Sequence, residues 1–104
     1  MKLMQKRINY NDSKILYNRK VSEEMLAQDF DIKTGSWSVR DGWIIGKNPL
    51  NNPGMIVSKA DYFGNIMLEF TATILPCTHD INAMWNGSWD DETNTRGLAY
   101  VAGL

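Results

Sequence analysis

One cysteine and one histidine stand in 104 residues, and no charge of either sign dominates. A lone Cys77 excludes an internal disulfide. Structural zinc takes four Cys or His ligands and catalytic zinc three protein ligands, so Cys77 and His79 alone complete neither set. A formal net charge of −1 removes the electrostatic case for nucleic acid or an anionic membrane as partner. No apolar run approaches the 18 or so residues of a membrane span. The opening "MKLMQKRINYND" is basic but lacks the apolar stretch of a secretory signal. There is no internal repeat and no low-complexity tract. The expectation from these absences is a cytoplasmic protein without a cofactor or resident metal.

What is present is ordinary for a folded chain: 43% apolar and 22% charged residues, enough for one domain with a core. "KILYNRK" (14–20) is a short strand candidate. "SEEMLAQDF" (22–30) opens on Ser22 with Glu23 and Glu24 behind it, an N-cap followed by acids in the first turn, and predicts a short helix. "SWSVRDGWIIG" (36–46) is a hairpin with Asp41-Gly42 as a type I′ turn, because both turn residues need positive φ. Arg40 then faces Trp43 and Val39 faces Ile44, with Arg40 and Trp43 read as a surface cation–π pair. "KNPLNNPG" (47–54) is a loop. "MIVSK" (55–59) is a strand. "NIMLEFTATIL" (65–75) alternates, with Ile66, Leu68, Phe70, Ala72 and Ile74 on one face, and predicts a long half-buried strand ended by Pro76. "GLAYVAGL" (97–104) is a last strand. The sum is an all-β, antiparallel sandwich or barrel. Residues 1–13 read as an N-terminal segment free to be flexible, and 14–104 as the domain. The chain stops at an apolar strand, so the expectation is a partial domain truncated at its C-terminus.

The motifs "GSWSVRDGWIIGKNP" (35–49), "PGMIVSK" (53–59), "MLEF" (67–70), "CTHDINAMWNGSWD" (77–90) and "RGLAYVAGL" (96–104) resemble a family of unknown function in the concanavalin A-like lectin/glucanase superfamily. The similarity runs from about residue 14 to the end, and the stretch from His79 to Leu104 is its most specific part. Members of that family are found near genes for using rhamnogalacturonan. The resemblance implies the N-terminal half of a two-sheet jelly roll with a concave, glycan-holding face. By the same resemblance, the other half, with any site residue it supplies, is expected to lie outside this sequence.

The stretch "CTHDINAMWNGSWDDETNTRG" (77–97) admits three chemistries. As a metal loop it lacks a second Cys or His. EF-hand spacing also fails, since Met84 and Trp85 occupy the fifth and sixth places from Asp80, and Thr95 the sixth from Asp90. A looser calcium site around Asp90, Asp91, Glu92 or Asn94 stays open beside the plainer reading of a solvated acidic loop. As a catalytic cluster, Cys77 and His79 share a side of an extended segment, but a nucleophile needs base contact and an oxyanion site. Glycoside chemistry needs two facing carboxylates, and the E-x-D-x-x-E-like strand motif is not present. As a sugar surface, the residue types fit: indoles for sugar C–H faces, and Asp, Asn and Arg for hydroxyls. The candidate carbohydrate-binding set is His79, Asp80, Asn82, Trp85, Asn86, Trp89 and Arg96, each weighed against burial or loop bonding. Three readings therefore stand: carbohydrate binding, a glycoside hydrolase or lyase-like enzyme, and a non-functional truncated fragment. Exposed strand edges also make self-association an expectation.

Overall fold

A computed structural model describes residues 9–48, 53–76 and 80–103, with the backbone of 2–3 and 6–7. Cys77 and His79, and the readings placed on them, lie outside the described residues. The chain divides into Met1–Gly64 and Asn65–Leu104. Regular structure is mostly β, and among the described residues every strand pairing is antiparallel and two-stranded. No helix among them is long and apolar enough to cross a membrane.

In Met1–Gly64, β1 (Lys2–Leu3) pairs with β2 (Lys6–Arg7), and a 3-10 turn follows at Tyr10–Asp12. Helix α1 (Glu23–Asp29) starts where expected: the Ser22 hydroxyl oxygen accepts from the Met25 N–H at 3.0 Å, with Glu23 and Glu24 in the first turn. Its buried residues are Met25 and Leu26, 3% and 4% exposed, and they form the apolar centre of this unit. Phe30 closes the helix, its N–H donating to the Leu26 carbonyl, and starts β3 (Phe30–Thr34). This strand was not expected from sequence. It pairs with β6 (Met55–Ser58), and a bulge between Ile32 and Thr34 lets the pairing resume at Thr34 and Met55.

The hairpin of β4 (Ser36–Arg40) and β5 (Trp43–Lys47) has the expected register, with Val39 opposite Ile44 and Arg40 opposite Trp43. Asp41 and Gly42 take φ 51° and 78°, the two positive values that a type I′ turn requires. Gly46 lies directly opposite Trp37, whose indole occupies the space where a side chain on Gly46 would stand. The Trp37 Nε1–H donates to the Thr34 carbonyl at 2.9 Å, which fixes the ring over the glycine.

Two expected strands do not form. Residues 14–20 form no strand. Their hold on α1 is through side chains: the Tyr17 hydroxyl donates to Asp29 Oδ2 at 2.7 Å, and Arg19 Nη1 meets both Asp29 oxygens at 2.8 Å. Residues 66–75 also carry no strand, and all but Ala72 are exposed, Leu68 by 58% and Phe70 by 52%. Alternation shows that a segment can present one apolar face. A strand further needs a neighbour to take its backbone groups, and none of the described strands pairs with this segment.

Candidate functional site

The Asn65–Leu104 unit is built on one hairpin. Strand β7 (Asn82–Trp85) pairs with β10 (Tyr100–Gly103), from Gly103 opposite Asn82 to Tyr100 opposite Trp85. Further along, β8 (Trp89–Asp90) pairs with β9 (Thr95–Arg96), Trp89 opposite Arg96. Both ladders keep the same register, so residues 82–103 are a single antiparallel ribbon interrupted where 86–88 faces 97–99. Asn86 has φ 53° at the interruption, and the Gly97 N–H donates to the Ser88 carbonyl at 2.9 Å across it.

The ribbon reverses over Asp91–Asn94, with Asn94 at φ 52°. Asp90 organises that turn. Its Oδ1 accepts from the Glu92 and Thr93 N–H groups at 2.9 and 3.2 Å. Hydrogen bonds from the Thr93 backbone and side chain, then from the Glu92 backbone, hold the Asp90 carboxyl below its ordinary range. The acidic loop is thus a closed turn whose first carboxylate, exposed to solvent, is bonded to the turn's own N–H groups. No cluster of three metal-ligating side chains occurs among the described residues.

At the other end of the ribbon, Trp85 and Tyr100 face each other across the strands. Their rings stack with centroids 5.9 Å apart and planes at 25°. They remain 45% and 63% exposed, so the pair presents a flat aromatic surface to solvent. Asn86 borders it and lines a concavity of about 240 Å³ with Leu98, Ala99 and Tyr100. Trp89 behaves differently. It is half-buried, and its Nε1 is buried without a hydrogen-bond partner among the described residues. Arg96, opposite Trp89, sends Nη1 to Met84 Sδ at 3.4 Å.

The expected residues therefore separate into three places. Asp80 and Asn82 form a pair at the open end, Asn82 Nδ2 donating to Asp80 Oδ2 at 2.7 Å. Trp85 and Asn86 belong to the aromatic surface, and Trp89 and Arg96 face each other nearer the turn. His79 lies outside the described residues. Tyr100 and Leu98 were missed as site residues. The signal for Tyr100 was available: a turn centred between Glu92 and Thr93 puts it directly opposite Trp85.

An exposed aromatic pair can take an apolar ligand face, and the neighbouring amides can donate and accept hydrogen bonds. No family model, no curated protein and no solved structure matches this chain.

Proposed function

We propose that this chain binds carbohydrate through the ribbon 82–103, as part of a β-sandwich of the jelly-roll type. The carrying observation is the Trp85–Tyr100 stack, two aromatic rings left in water at directly opposite positions of a ladder. A sugar ring offers C–H faces to such a surface and hydroxyls to polar groups around it. Asn82, Asn86 and Asp80 are the polar groups that support this reading on the same stretch of ribbon. The resemblance to the concanavalin A-like superfamily points to plant cell-wall oligosaccharides, including fragments of rhamnogalacturonan.

Titration with pectic oligosaccharides, followed by tryptophan fluorescence and calorimetry, tests the proposal. Trp85→Ala and Tyr100→Ala are expected to weaken binding at least about tenfold, or 1.4 kcal/mol, while Trp43→Ala leaves it unchanged. New reducing ends or unsaturated products during incubation would replace the binding reading with a hydrolase or lyase. Absence of both binding and turnover across a broad glycan panel would remove it.

A further inference from the structure

We infer that residues 65–75 are the contact between two copies of this chain, pairing as antiparallel strands with Phe70 on the two-fold axis. The segment has a strand's pattern and lacks a strand's neighbour. Ile66, Leu68, Phe70 and Ile74 are exposed, with Ala72 half-buried on the same alternating face. Among the described residues, the backbone of 65–74 makes no hydrogen bond to other backbone groups. Its N–H and C=O groups are thus open to a strand from outside the chain.

One arrangement makes the segment complementary to itself. Glu69 is its only charged residue. A parallel, in-register pair sets Glu69 beside Glu69, and an antiparallel pair centred on Glu69 sets the two directly opposite. Like charges so placed are destabilising. Centring on Phe70 sets Glu69 opposite Thr71 and leaves the carboxylates diagonal. The same register sets Phe70 opposite Phe70, Leu68 opposite Ala72 and Ile66 opposite Ile74, so the apolar faces of both copies fall on one side. Gly64 and Pro76 stand six residues to either side of Phe70, so this register pairs all of 65–75. Gly64, at φ 92°, and Pro76, without an N–H, then end the ladder together at both ends. Centring one residue later brings Pro76 opposite Ile66 and breaks the ladder.

A net charge of −1 on each copy opposes the approach only slightly. The contact is small. Residues 65–75 are about half of the 20 to 30 residues a side of a standard interface, and a two-stranded ribbon by itself is marginal in water. The dimer is therefore weak and reversible.

The test is sedimentation equilibrium of the whole chain and its variants at about 0.01 M and 1 M salt. The parent chain is expected to show a dimer as its first associated species. Phe70→Glu is expected to raise the dimer dissociation constant at least about tenfold. Ile15→Lys removes a still more exposed apolar side chain away from the segment, and is expected to leave the constant unchanged. Thr71→Lys sets an ammonium opposite Glu69 of the second copy, twice by symmetry. It is expected to tighten the dimer about threefold at low salt, a gain that fades at 1 M. Weaker association of Thr71→Lys at low salt overturns the antiparallel register. Association that Phe70→Glu leaves intact, or that Ile15→Lys weakens equally, overturns the contact. A monomer at every concentration overturns it as well.

Discussion

Asp29 shows how a single acid can organise a segment that has no ladder of its own. It accepts from Tyr17 at 2.7 Å and from Arg19 at 2.8 Å, and its backbone carbonyl accepts from the Lys59 N–H at 2.8 Å. The Tyr17 hydroxyl, partly withdrawn from water, bonded to Asp29 and close to its negative charge, is pushed up to about 12. A native value above the unfolded one stabilises the fold fully below about pH 10, and that contribution is lost as pH rises toward 12. Absorbance titration at alkaline pH is expected to show a tyrosine component ionising at about 12, and Asp29→Asn to lower it. Absence of that component in the parent chain would refute this. Asp90 has the opposite sign. Its lowered value contributes above the ordinary carboxylate range and is lost as pH falls through the native value. Carboxyl NMR titration is expected to place Asp90 below the ordinary carboxylate range, and Thr93→Ala to raise it through loss of the side-chain bond.

At the scale of elements, the hairpin 36–47 and helix α1 follow from short-range chemistry. Ser22→Ala removes the oxygen that accepts from Met25 and is expected to destabilise the Met1–Gly64 unit by about 1 kcal/mol in denaturant melts. Gly46→Ala tests the packing of the same hairpin. A Cβ there would meet Trp37 Cζ3 at 2.7 Å and Cη2 at 2.9 Å, and the rigid indole is held by its bond to Thr34. The expected result is a loss of about 1 to 3 kcal/mol with a changed Trp37 emission. Unchanged stability would mean that the indole does not sit over the glycine. Strand β3 has a different origin. "FDIKT" alternates over only a few residues, and it is a strand because β6 lies beside it and a bulge absorbs the mismatch at Lys33. The failure of 65–75 is the converse: strong alternation with none of the described strands paired to it.

For the chain as a whole, the balance lies between few buried apolar side chains and many exposed ones. Met25 and Leu26 are the buried apolar residues among those described. Leu98, Phe63 and Ile15 are 94%, 84% and 74% exposed. Each 100 Å² of such surface removed from water contributes about 2.5 kcal/mol, and two-stranded ribbons leave backbone groups free along their outer edges. The chain by itself is therefore expected to self-associate. Sedimentation velocity over a hundredfold range of concentration is expected to show growing species, and a monomer with a cooperative melt throughout would contradict it. The sequence by itself determined the cap of α1, the type I′ turn with its register, and the residue types of the 77–97 stretch. Each depends on neighbours a few positions apart, where dihedral preference and local hydrogen bonds decide. Only tertiary structure decided that β3 pairs with β6, that 14–20 is held by Asp29, and that none of the described strands pairs with 65–75. It also decided that Trp85 meets Tyr100 in the open while Trp89 turns inward. Pairing partners and solvent exposure depend on residues far apart in the chain, and the alternation or composition of one segment carries no information about which distant segment lies beside it.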